Sequence, residues 1–239
     1  MKKKIVALCL IVCLAATAIA GASLAYFTDT DAKTNTFTSG NVKIQLVEEQ
    51  RTSDADDTRV DFAPDKNVLP YTGDEGTQIL AKNYVDKIVN VKRLGTEPAY
   101  VRVLVAVPAA LKEALHIDWN TQQWDRIDAE ELVVINGTLH NVYVMTYKAA
   151  LMQKKDVTAD QAMYGFYLDP AVDYVNNVGY TLHGQPLGID LSNLQIPVVA
   201  QGVQATGFDS ADEAFNAAYD AENLTVLPEG WELYTEPQM

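Results

Sequence analysis

Cysteine, histidine and positive charge are all scarce in this chain, and each shortage closes off a class of function. The 239 residues contain two cysteines, Cys9 and Cys13, and both lie in an apolar run at the N-terminus. A chain that has shed that run has no thiol for nucleophilic chemistry and no disulfide to staple it, so its stability rests on a packed core. Neither cysteine follows the small residue that precedes a lipidated cysteine, because Leu8 stands before Cys9 and Val12 before Cys13. The three histidines, His116, His140 and His183, are far apart and outside any His-Glu-x-x-His frame, so the sequence carries no zinc-peptidase signature and implies no metal or other cofactor. Distant histidines can still converge in a fold, and that alternative stays open beside three unrelated ones. No G-x-S-x-G elbow, P-loop or G-x-G-x-x-G occurs, and no catalytic residue is assigned.

Basic residues number 18 against 32 acidic ones, a net charge of −14. Loss of Lys2, Lys3 and Lys4 with the N-terminal run leaves 15 against 32, a net of −17. A charge of that sign repels phosphate backbones and excludes nucleic acid as a partner.

What the chain does have begins at its N-terminus. Lys2, Lys3 and Lys4 precede an apolar run from Ile5 to about Ala20, followed by the small residues Gly21, Ala22, Ser23 and Ala25. That order is the layout of a secretory signal peptide, read here as residues 1–25. Cleavage after Ala25 makes Ser23 and Ala25 the residues that the peptidase reads and Tyr26 the first mature residue; Ala18-Ile19-Ala20 is an equally legal sequence for the cut. The run approaches the ~20 residues that a spanning helix needs, so contact with a membrane is expected only through the uncleaved signal. Export without disulfides suits a Gram-positive bacterium.

Residues 26–40 are polar and threonine-rich, and residues 41–239 read as one β-sandwich domain. Val42, Ile44 and Leu46 alternate with polar residues, the pattern of a half-buried strand. Residues 48–65 are acidic and turn-rich and are expected as an exposed loop, with Asp54, Asp56, Asp57, Asp61 and Asp65 as either a solvated charge run or a calcium loop. Lys87–Val91 and Ala99–Val107 flank Gly95-Thr96-Glu97-Pro98 as a hairpin or β-arch. Residues 108–128 have no clear strand pattern and are expected as a small insertion. Asn136-Gly137 joins Glu131–Ile135 to His140–Tyr147 in a hairpin. A strand follows at Tyr164–Leu168, and Leu194–Ala205, broken by Pro197 and Gly202, reads as an edge or bulged strand. Ser210 with Glu213 three residues on makes a capping box for an alanine-rich helix over Ser210–Glu222. Many strands and one C-terminal helix, with no βαβ alternation, give a mainly β fold: an antiparallel, jelly-roll-like sandwich. The abundant tyrosines suit either core packing or a carbohydrate cleft. Leu227-Pro228-Glu229-Gly230 is similar to a sortase sorting signal but has Gly230 where that signal needs Thr.

The segment GASLAYFTDTDAKTNTFTSGNVKIQL, residues 21–46, resembles the N-terminal signature of the camelysin/TasA family, whose members are exported by a SipW-type signal peptidase. The matching features are the small residues Ala22–Ala25, the aromatic pair Tyr26 and Phe27, Asp29 and Asp31, then Asn35, Phe37 and Gly40, and the alternating Val42, Ile44 and Leu46. The resemblance implies a jelly-roll protein secreted to the cell surface or extracellular matrix. It also implies self-association, or association with related matrix subunits, in which the freed N-terminal strand passes into the next subunit. Tyr26, Phe27, Phe37, Val42, Ile44 and Leu46 are then the assembly residues, and self-pairing of the same segment within one chain is the competing arrangement. The family has also been classed as metallopeptidase, so a surface hydrolase is one alternative and a monomeric adhesin another.

Overall fold

The computed structural model describes residues 28–32, 35–36, 42–52, 57–63, 84–152, 157–175, 178–191, 194–219 and 227–236. Within them two antiparallel sheets enclose one core, so the mainly β sandwich read from the sequence is the fold. The larger sheet has the order β17 (Trp231–Leu233), β9 (Val133–Ile135), β10 (Thr138–Tyr147), β6 (Ala99–Pro108), β16 (Val198–Gln204), β1 (Thr28–Ala32), β2 (Asn35–Thr36). Strand β10 is long enough to pair with β9 at its start and with β8 (Trp124–Asp128) at its end. The second sheet runs β4 (Arg59–Asp61), β3 (Ile44–Arg51), β5 (Val85–Arg93), β12 (Met163–Leu168), β7 (Leu115–Trp119), with β11 (Val157–Thr158) beside β12 on β5. A small third sheet is made of β13 (Val172–Val175), β14 (Gly179–Leu182) and β15 (Gln185–Pro186). Helix α1 spans Ala211–Tyr219.

Strand alternation decides which residues meet between the sheets. Val101, Val103, Val105 and Val107 of β6, with Val198 and Ala200 of β16, face Ile44 and Leu46 of β3, Val89 and Val91 of β5, and Met163 and Phe166 of β12. Each such side chain removed from water contributes about 1.5–3 kcal/mol before conformational entropy is set against it. Strand β6 is buried along its whole length because its other face is covered too. Leu104 and Ala106 pack with Val142, Val144 and Trp231, while Tyr100 lies under Phe215 and Tyr219 of α1. A strand covered on both faces reads as a near-continuous apolar run, and AYVRVLVAVP is interrupted only by Arg102.

The one charge in that run is accommodated under the helix. Arg102 donates from Nε to Gln201 Oε1 at 2.6 Å, and its guanidinium lies over the rings of Phe215 and Tyr219 at 4.6 and 5.0 Å. Burial lowers its pKa to about 10. Ser210 caps α1 by accepting the Glu213 N–H at 3.2 Å, and the Glu213 carboxylate reaches back to the Asp209 N–H at 3.0 Å. Residues 220–222, the last turn of the helix read from the sequence, lie outside the described residues.

Several elements differ from the expectations. The stretch 108–128 is no insertion: after a single 3₁₀ turn at Ala109–Leu111, β7 pairs with β12 in the second sheet and β8 with β10 in the larger one. Leu115, Ile117 and Trp119 alternate toward the core, while Trp124 anchors β8 by donating its indole N–H to the Asp160 carbonyl at 2.8 Å. The acidic stretch 48–65 is not a free loop either, because β3 runs on to Arg51 and β4 folds back against it, Gln50 opposite Val60. β16 is no edge strand; it lies between β6 and β1, with Pro197 just before it and Gly202 in unbroken register. β5 and β6 belong to different sheets, so of the hairpin and the arch it is the arch that forms. The Asn136-Gly137 hairpin has both turn residues at positive φ, 50° and 78°, as a type I′ turn requires. Pro228 to Trp231 is a turn closed by Trp231 N–H to Pro228 O at 3.1 Å, with Gly230 at φ 82°, and it feeds β17 into the larger sheet.

Candidate functional site

Two places gather the features that bear on function. The first is the flank of β16. Its one side pairs with β6 through seven residues and its other side with β1, from Thr28 opposite Val203 to Ala32 opposite Val199. β2 then turns back onto β1, with Asp31 opposite Thr36. The backbone groups of β16 on this side are therefore satisfied by residues 28–32, which begin two positions after Tyr26.

The sequence-derived assembly residues separate into two sets. Val42 and Ile44 are fully buried and Leu46 is 8% exposed; Ile44 and Leu46 pack in the core between the sheets, with β3 held between β4 and β5. Tyr26, Phe27 and Phe37, and the cleavage residues Ser23 and Ala25, lie outside the described residues.

The second place is a groove on the outer face of the second sheet, about 530 Å³ in volume. Ile88 of β5 and Tyr164 of β12 form its floor; Arg51, Arg59 and Asp57 stand on one side, and Asp118, Trp119, Asn120 and Gln161 on the other. The charges are paired. Arg51 makes a two-pronged ion pair with the buried Asp86, and its own backbone N–H also donates to Asp86 Oδ2 at 3.1 Å. The Asp86 hydrogen bond, against the cost of burial, raises the pKa of Arg51 further. Arg59 grips both oxygens of Asp57 at 3.1–3.2 Å and has Glu49 at 3.8 Å.

Tyr84 and Asp118 complete the charged band beside the groove. The Tyr84 hydroxyl donates to Asp118 Oδ2 at 3.4 Å. Burial, reinforced by the carboxylates of Asp118 and Asp86, pushes the phenol far up and keeps it neutral. Burial likewise pushes the Asp118 carboxyl up, against the hydrogen bond from Tyr84. Gly165 makes room for this ring: a Cβ there would stand 2.6 Å from Tyr84 Cε1 and 2.4 Å from the Val85 carbonyl. The register of β12 shifts between Met163 and Gly165, and this bulge turns Tyr164 and Tyr167 to the outer face while Met163 and Phe166 stay in the core. The groove was not singled out in the sequence. Its nearest signal is the run Met163-Tyr164-Gly165-Phe166-Tyr167, where aromatic residues fall on both sides of a glycine.

The three histidines do not converge. His116 bonds Asp169 at 2.9 Å and stacks on Tyr167, His140 bonds the Thr138 carbonyl at 2.8 Å within the β9–β10 hairpin, and His183 sits at positive φ in the β14–β15 turn. Among the described residues no group of three or more His, Cys, Asp or Glu is placed to hold a metal ion. Of the acidic stretch, Asp57 holds Arg59 and Asp61 ends β4, whereas Asp54, Asp56 and Asp65 lie outside the described residues. No described helix is long and apolar enough to cross a membrane.

Comparison with protein-family models, with curated proteins and with solved structures finds no match to this chain.

Proposed function

We propose that the chain is a non-enzymatic protein of the cell surface or extracellular matrix, released by a SipW-type signal peptidase, whose subunits associate by exchange of the N-terminal strand. The observation that carries this reading is the pairing of β1 with β16. Residues 28–32, just after the cleavage point read from the sequence, cover Val199 to Val203 on one flank of a central strand by main-chain pairing. An identical segment from a second copy makes the same bonds, so exchange costs little in contacts and turns a closed sheet into a link between subunits. While the signal peptide remains attached the segment has a tethered end, which couples assembly to cleavage. Val42 and Ile44 are locked in their own domain, so the exchanged segment ends before residue 42. The resemblance of residues 21–46 to the camelysin/TasA signature supports the same reading.

The test compares the mature chain beginning at Tyr26 with one carrying a soluble tag before Tyr26, by electron microscopy and size-exclusion chromatography. Filaments or large oligomers in the free-terminus sample alone are expected. If both samples stay monomeric across pH, concentration and added calcium, strand exchange is wrong. A third sample lacking residues 26–40 is expected to lose assembly with the other two as its reference.

A further inference from the structure

We infer that the groove on the outer face of the second sheet binds a neutral saccharide. Its volume of about 530 Å³ lies within the roughly 300–1,000 Å³ of small-ligand sites. Its lining divides in the way that sugar recognition requires. Tyr164 offers its ring to the apolar face of a pyranose and its hydroxyl to the sugar's own hydroxyls, and Asn120, Gln122 and Gln161 offer amides.

Asn120 is the most constrained of these. It is 6% exposed, its backbone N–H donates to the Ala162 carbonyl at 3.0 Å, and its Oδ1 accepts the Gln123 N–H at 3.3 Å. The first bond fixes its backbone at the groove wall and the second its side chain. With Oδ1 engaged in that way, the amide nitrogen of the same side chain carries two donors at the groove wall.

Charge selects the class of ligand. Arg51 is matched by Asp86, and Arg59 by Asp57 and Glu49, so the groove offers an acidic ligand no uncompensated cation. Asp118 adds a carboxyl to the wall, and the whole chain carries −14. Anions are repelled by that balance. A divalent cation would need converging carboxylates, and none are grouped among the described residues. A polyhydroxylated, uncharged ligand matches what remains: fixed donors and acceptors, an aromatic wall, and ion pairs whose outer edges accept or donate further hydrogen bonds.

This inference goes beyond self-association and is tested apart from it, on the non-assembling chain with a tag before Tyr26. Cellohexaose, chitohexaose and isomaltohexaose serve as neutral probes and oligogalacturonate as the acidic one, each titrated to about 10 mM and followed by calorimetry and tryptophan fluorescence. Saturable binding of at least one neutral probe is expected. It weakens by about tenfold or more in Gln161→Ala, Asn120→Ala and Tyr164→Phe, the scale of one lost hydrogen bond to a fixed partner. Tyr164 and Gln161 are only partly buried, so the melting temperatures of Tyr164→Phe and Gln161→Ala are expected to equal the parent's. Absence of binding by all three neutral probes overturns the inference, as does binding by the acidic probe alone or binding that Gln161→Ala and Tyr164→Phe leave unchanged.

Discussion

Gly202 lies directly against Ile44: a Cβ on Gly202 would stand 2.9 Å from Ile44 Cγ2 and 3.3 Å from its Cδ1. The two sheets approach here, at the strand that β1 covers, and the branched Ile44 side chain has already taken the space a methyl would need. Gly202→Ala is therefore expected to destabilise the fold by about 1–3 kcal/mol, the usual cost of overpacking. The same substitution in an Ile44→Val background is expected to cost less, and a double-mutant cycle in urea measures the difference. Equal costs in both backgrounds would show that Ile44 is not the obstacle.

The ion pair of Arg51 with Asp86 predicts a second outcome. Asp86 is 3% exposed and accepts three hydrogen bonds from one arginine. Asp86→Ala leaves Arg51 unmatched and is expected to cost about 2 kcal/mol, below the 3–5 kcal/mol of wholly enclosed pairs because Arg51 keeps some access to water. Chemical denaturation checks it, and a change under about 0.5 kcal/mol would mark the pair as a surface contact.

Two carboxyls shift in opposite directions, which separates their effects by pH. The Ala171 N–H, then His116, hold Asp169 below its ordinary value of 3.8. Its stabilisation is present above that value and is lost as pH falls through the folded pKa. Asp169→Asn is thus expected to be less stable than the parent at pH 7, with the gap closing in acid. Asp118 is raised by burial, so its charged form opposes folding above its folded pKa. Asp118→Asn is expected to be more stable at pH 7, with its advantage vanishing as pH falls below the ordinary value. Urea midpoints from pH 2.5 to 7.5 read both slopes, and parallel profiles for the two variants would contradict the assignment.

The helix cap is the simplest case. Ser210→Ala removes the acceptor for the Glu213 N–H and is expected to cost about 1 kcal/mol, whereas Ser210→Asp keeps the cap and costs little. Thermal melts distinguish them.

The sandwich was legible in the sequence wherever alternation was strong and local. Val42, Ile44 and Leu46 announced β3, Asn136-Gly137 announced the hairpin, and Ser210 with Glu213 announced α1. The misread elements share a physical cause. Residues 108–128 form two five-residue strands, one paired with the distant β12 and the other with the end of β10 beyond the β9 turn, so short-range pattern had little to report. Gly202 read as a break because a glycine weakens a strand intrinsically, whereas here it answers to a side chain on the opposite sheet. The groove was illegible for the same reason: Arg51, Tyr164 and Asn120 come from separate strands and loops, and only their pairing across the sheet assembles them.

The order of the strands also sets when this molecule can come into being. The centre of the larger sheet is β6 between β10 and β16, and β1, the first strand described, has only the two-residue β2 beside it until β16 arrives at residues 198–204. A chain emerging N-terminus first therefore leaves the other edge of its opening strand uncovered until residues 198–204 have followed. Closure by partners so distant in sequence is slow. Local pairs such as the β9–β10 hairpin come first, and the larger sheet is closed only by its last long strand.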